Sequence, residues 1–168
     1  MFIDESGAKT NTTRLRGRAP RGERVHASAP QGHWHTTTMI SSIRVDGTTA
    51  CMALDGATDT DVFHFYTRHI LCPSLQQGDI VIMDNLSPHK NTHTIKLIEA
   101  MGARVAFLPA YSPDLNPIEK MWSKIKAYLR SAEARTQQSL MEAIGQALAK
   151  VTPQDARNWF ASCGYSFI

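Results

Sequence analysis

The chain has 168 residues, a net charge of +3 and a 42% hydrophobic share, enough for one domain with a real core. No apolar run approaches the ~18 residues a membrane span needs, and the opening MFIDESGAKT has neither the basic start nor the apolar stretch of a signal peptide. Three widely spaced cysteines, Cys51, Cys72 and Cys163, form no CxxC pair, so neither a disulfide framework nor a zinc site is indicated, and a reducing cytoplasm is the expected setting.

Taken in chain order, MFID reads as the end of a short strand. A basic loop follows. Between Lys9 and Arg24 stand Lys9, Arg14, Arg16, Arg18, Arg21 and Arg24 against Glu23 alone, with Gly7, Gly17, Pro20 and Gly22 as breakers. It is either a solvated arm or a phosphate-binding loop, since arginine pairs with phosphate oxygens without reading sequence. ERVHASA suggests a short strand, and HWHTTTMISSIRV is rich in β-branched residues and fits another. Asp46–Gly47 is a hairpin turn signal, and TTACMALDG is the returning strand.

The pattern then changes. TDTDVFHFYTRHILCPSL is helical, with Thr58 as its N-cap and Val62, Phe65, Tyr66 and Ile70 at helical spacing. GDIVIMDN is a continuous apolar run, as in a strand buried on both faces. SPHKNTHTIKLIEAMG is predicted as one helix, capped by Ser87, opened by Pro88 and stopped by Gly102. ARVAFLP is a second buried strand. A loop with Pro109, Pro113 and Pro117 leads to a helix from Pro117 to about Arg130, then to helices near Gln137–Lys150 and from Pro153. A meander followed by alternating helices and strands predicts a mixed sheet with helices on its faces.

Three carboxylates stand out. Asp84 closes IVIMD, and ligands of open α/β sheets bind beyond the carboxyl ends of parallel strands. It could equally bond its own backbone in a turn. Glu119 falls at the third helical position after Asn116 and Pro117, close to a capping box. At 100° per residue, Ile118, Trp122, Ile125 and Leu129 form the apolar stripe, while Glu119, Lys126 and Arg130 share a second stripe at its edge. Asp4 also ends a strand. If the Asp4 and Asp84 strands are neighbours, the carboxylates converge. Mutual repulsion would raise their pKa values unless a cation is present. Hard oxygen donors suit Mg²⁺ or Mn²⁺, and two such ions can activate an attacking oxygen and stabilise a leaving one. Asn85, His89 and Lys90 are candidates for a supporting shell around Asp84, although His89 also reads as a surface helix residue. His33, His35, His89 and His93 lack a zinc ligand pattern. Trp122 belongs to the core by its spacing.

FIDESG, GRAPRGERV, GHWHTTT, GDIVIMDNLSPHK and FLPAYSPDLNPIEKMWSKIK together resemble the DDE transposases of bacterial insertion sequences related to the mariner superfamily. The resemblance runs almost end to end. The 34 residues between Asp84 and Glu119 match the spacing of the family's Asp–Asp–Glu triad. It implies a single RNase H-like α/β domain over residues 1–168, like that of retroviral integrases: a mixed five-stranded sheet with helices on both faces. It implies that Asp4, Asp84 and Glu119 are catalytic and hold two Mg²⁺ or Mn²⁺ ions. The implied reaction is cleavage at transposon ends followed by joining of the 3′-hydroxyl to target DNA. Double-stranded DNA, contacted by Arg14, Arg16, Arg18, Arg21, Arg24, Lys126 and Arg130, would be the partner, with a homodimer as the active complex at the bacterial nucleoid. Family members usually carry an N-terminal helix-turn-helix region. The chain shows no such region and reads as a catalytic half, with a separate helix-turn-helix polypeptide as an expected partner. A hydrolytic nuclease on the same fold, and an inactive remnant that binds DNA or a transposase, are the alternatives.

Overall fold

The computed structural model describes residues 1–14, 16–26, 28, 30 and 35–166. Five strands, β1 (Phe2–Lys9), β2 (Thr36–Ile43), β3 (Thr49–Asp55), β4 (Ile80–Met83) and β5 (Arg104–Phe107), form one sheet in the order β3-β2-β1-β4-β5. β1 and β2, and β2 and β3, are antiparallel, whereas β1 with β4 and β4 with β5 are parallel. The meander and the parallel half predicted from sequence therefore meet on β1, the central strand.

Side chains alternate across a strand, and β1 uses both faces. Phe2 and Ala8 join a core built with α3 (Pro117–Ala132), α4 (Gln137–Leu148) and α5 (Pro153–Ser162). Ile3 faces the other way, into a core with Phe63 and Tyr66 of α1 (Thr60–Tyr66) and Ile98 of α2 (Thr92–Ala100). Helices thus cover both faces. Trp122 is 1% exposed and lies in the first of these cores, as its spacing predicts.

Several local expectations are corrected. β1 is eight residues long, so Asp4 lies inside the strand rather than at its end. ERVHASA forms no strand among its described residues. Asp59, not Thr58, caps α1: its carboxylate accepts from the Val62 N–H at 2.8 Å. The helix after β4 is broken in two. Pro88–Lys90 makes one tight turn, and α2 starts only after Asn91, whose side chain accepts from the N–H groups of His93 and Thr94. Asn91 competes successfully with the continuous helix because its amide can satisfy two orphan N–H groups at once. His33, Trp34 and the first residues of GHWHTTT lie outside the described residues.

Candidate active site

Parallel register pairs Phe2 with Ile82. Two residues further along each strand, Asp4 and Asp84 stand abreast at the carboxyl end of β4. Both follow the parity of Phe2 and Ile82, residues that pack on the α3 side, so both are aimed toward that helix. Glu119 enters from the first turn of α3. The three carboxylates line one cleft of about 390 Å³, whose opposite lip is the loop through Pro109, Tyr111 and Pro113. Sequence-distant elements are brought together as predicted.

The proline-rich loop is stiff and unusual. Tyr111 has φ 58° and a fully exposed ring. Asn116 is buried at the head of α3, yet its side chain makes no cap bond and its Oδ1 has no partner. Only the Asn116 carbonyl accepts from the Glu119 N–H, at 3.2 Å. The capping box suggested by sequence does not form. Glu119 is exposed to the cleft and makes no side-chain hydrogen bond among the described residues.

The two aspartates are held alike. Asp4 is 8% exposed, and its Oδ1 accepts from the Glu5 N–H at 2.8 Å. Asp84 Oδ1 accepts from the Leu86 N–H at 3.0 Å. Burial pushes the Asp4 carboxyl up to about 7; the Glu5 N–H opposes this, and the negative charges of Glu119, Glu5 and Asp84 add to it. Burial also raises Asp84, but His89, the Leu86 N–H and the Lys90 charge outweigh it and hold the group below its ordinary value.

His89 is not a surface residue. It is fully buried, with its ring 4.3 Å from that of Phe63. Its Nε2 lies 3.0 Å from Glu5 Oε1. Its Nδ1 lies 2.6 Å from Asp84 Oδ1, near enough for an ion pair, though the oxygen stands off the direction of the ring N–H. Burial lowers the His89 pKa, but the two carboxylates prevail and raise it to about 9. Sequence reasoning missed Glu5 entirely. The signal was available: strand alternation puts residue 5 on the buried face of Ile3, where a carboxylate needs a partner. Asn85 is exposed at the cleft and donates from Nδ2 to the Leu108 carbonyl. Lys90 is exposed, and only its charge bears on Asp84.

Hard oxygen donors around a buried Asp4 fit a divalent cation, which would offset the burial that chiefly raises that group and the carboxylate repulsion that adds to it. Among the described residues, no three acidic, histidine or cysteine side chains converge tightly enough to hold an ion as they stand. The carboxylates border an open cleft rather than a finished cage.

Of the arginines predicted to touch DNA, Arg14 and Arg16 meet Arg130 across a groove of about 400 Å³ on the flank of α3, floored by Ala127 and Ser131. Lys126 is half-buried one turn earlier on α3, and Arg18, Arg21 and Arg24 are exposed.

The sheet order, the two helical layers and the carboxylates at one strand end define an RNase H-like domain. The structure is similar to that of Mos1 transposase in a paired-end complex with the left transposon end, with 18% identity over 99% of this chain and 56% of that one (TM-score 0.63). It is also similar to the catalytic domain of Mos1 mariner transposase (16% identity, 99% and 84% covered, TM-score 0.50) and to the catalytic core domain of BIV integrase (12%, 77% and 91%, TM-score 0.53). These identities speak for the fold. The chain spans 56% of the length of the Mos1 transposase chains in these paired-end complexes. No curated protein matches it. The family follows from the sequence itself: residues 1–141 match the model of the DDE superfamily endonucleases, and the chain belongs to that family.

Proposed function

We propose that the chain is the catalytic domain of a DNA transposase, cutting transposon ends and joining the freed 3′-hydroxyl to target DNA. The observation that carries this reading is the meeting of Asp4, Asp84 and Glu119 in one cleft, from a central strand, a neighbouring strand end and a helix start. Asp4, Asp84 and Glu119 are the residues that would hold Mg²⁺ or Mn²⁺, and solved structures of Mos1 complexes carry each of these metals. When bound, a pair of such ions supplies an activated attacking oxygen and a stabilised leaving oxygen in phosphoryl transfer. The chain's own part is to aim the three carboxylates and to hold the DNA.

The α3 helix supports the second task. Glu119 and Arg130 are eleven residues apart, close to three full turns, so they share a face about 16 Å apart. That is roughly five nucleotide steps at 3.4 Å each. Ala127 lies between them, small enough for a DNA backbone to approach closely. We read Arg14, Arg16, Lys126 and Arg130 as phosphate contacts, with Arg18, Arg21 and Arg24 extending the same strip. The reading includes a homodimer as the active complex, as suits a reaction at two ends, a helix-turn-helix partner that reads those ends, and action on the DNA of the bacterial nucleoid.

The test is Mg²⁺-dependent nicking and strand transfer on duplex DNA. Folded Asp84→Asn and Glu119→Gln proteins are expected to lose both activities by at least a hundredfold. Undiminished cutting by either variant would overturn the assignment. Cutting without any joining of a pre-cut 3′-hydroxyl end would instead mark a hydrolytic nuclease.

A further inference from the structure

β1 and β4 are the strands that carry the two aspartates, yet their registered pairing is confined to Phe2 with Ile82. That pairing includes the bond from the Ile82 N–H to the Met1 carbonyl at 2.9 Å, and the Met1 amino group donates to the Ile80 carbonyl at 3.0 Å. Beyond this point, among the described residues, no registered pairing between the two strands fixes the separation of Asp4 and Asp84. A side-chain link spans the interval instead. The Glu5 N–H holds Asp4 Oδ1, the Glu5 carboxylate meets His89 Nε2, and His89 Nδ1 meets Asp84 Oδ1. The chain is thus continuous from one aspartate to the other. It engages Oδ1 of each and leaves Oδ2 of each without a hydrogen bond among the described residues.

The link is rigid for physical reasons. The His89 ring is fully buried and packed on Phe63, itself 0% exposed. The turn that carries it opens on Pro88, which restricts the backbone. A buried aromatic ring has two rotatable bonds and, when packed on both sides, little freedom in either. Glu5 enters from the strand next to the gap, so any change in strand separation would pull on the ring.

We propose that Glu5 and His89 are positioning residues: a strut that sets the spacing between the two aspartates and keeps Oδ2 of each turned to the cleft. The proposal rests on the reading of Asp4 and Asp84 as metal ligands. Partners behind a metal ligand typically alter affinity about 10- to 100-fold when removed. Glu5 and His89 would act through Asp4 and Asp84 without touching the ion.

The test is Mn²⁺ binding to the purified chain without DNA, followed by electron paramagnetic resonance, with thermal unfolding measured in parallel. His89→Ala is expected to weaken Mn²⁺ binding by at least tenfold. His89→Asn, whose amide sits near the Nδ1 position and can reach Asp84 Oδ1, should recover part of the loss. Glu5→Gln keeps the shape of the link and should cause a smaller loss than His89→Ala. Parental Mn²⁺ affinity in a folded His89→Ala protein would overturn the strut. If that variant does not fold, Glu5→Ala decides, and unchanged affinity there would overturn it equally. Asp84→Asn is the control for the underlying reading. If Asp84→Asn binds Mn²⁺ like the parent, the metal-ligand assignment itself fails. If the parent binds Mn²⁺ but cuts no DNA, the transposase reading fails while the strut stands.

Discussion

Gly47 turns the β2–β3 hairpin with φ +86°, in the left-handed region that L side chains rarely adopt. A Cβ there would also lie 2.9 Å from Pro153 N and 3.0 Å from the Thr152 carbonyl carbon, both backbone atoms at the start of α5. Neither can rotate away. Gly47→Ala is therefore expected to destabilise the fold by about 2 kcal/mol or more, combining left-handed strain with overpacking; urea unfolding would measure it. At this scale the sequence was partly legible. Asp46–Gly47 announced the turn, and the motifs around Asp84 and Glu119 pointed to residues that the fold brings to one cleft. Glu5 was not read, and His89 was read only as a candidate for the shell around Asp84 beside a surface-helix alternative, because their pairing joins positions 84 residues apart in the chain. A buried carboxylate beside a better-known one leaves no local mark. His89 was hidden by Pro88, which suggested an ordinary helix start, whereas Asn91 restarts the helix and leaves the histidine in a turn directed inward.

α3 shows how one element serves two purposes. Ile118, Met121, Trp122, Ile125 and Leu129 are buried against the sheet, while Glu119 and Arg130 stand at the border of that stripe. Periodicity displays this directly, so the helix and its faces were legible. Its fastening to α5 was not. Lys124 Nζ donates to the Lys150 carbonyl at 2.7 Å and meets Asp155 Oδ2 at 2.5 Å, while Asp155 also closes a capping box with Thr152. Lys124 and Thr152 together hold the Asp155 carboxyl at about 2, below its ordinary 3.8. A depressed folded-state value means that the unfolded chain binds the proton more readily between pH 4 and 2. The contribution is present in full above about pH 4 and is lost as pH falls through 2. Asp155→Asn is expected to flatten the fall of Tm over that interval while leaving less stability at pH 7. A Tm–pH curve parallel to the parent's would count against the contact. Because the pair is partly solvent-exposed, the effect shrinks in high salt.

For the molecule as a whole, the small net charge of +3 conceals a strong asymmetry. Acidic side chains gather at the cleft, and arginines gather along the flank of α3. If the arginine strip binds phosphates, binding of duplex DNA should weaken steeply with salt. Arg14→Ala, Arg16→Ala and Arg130→Ala should each lower the slope of log K against log[salt] by about 0.9. Fluorescence anisotropy with unrelated duplexes should show the same loss for each. A loss confined to one sequence would mean that the strip reads bases.

The sheet order has one more consequence, in time rather than in space. β1 is the central strand and is made first, but its partner β4 follows some seventy residues later, and α3 later still. Chains leave the ribosome N-terminus first. The β1–β2–β3 meander can pair early from local contacts, whereas Asp84 must wait for β4, and Glu119 for the helix behind it. A nascent chain that has emerged as far as the proline loop holds Asp4 and Asp84 but not Glu119, and lacks the helices that bury Phe2 and Met39. On the proposed reading, a product terminated before α3 holds two of the three carboxylates and is expected not to cut DNA.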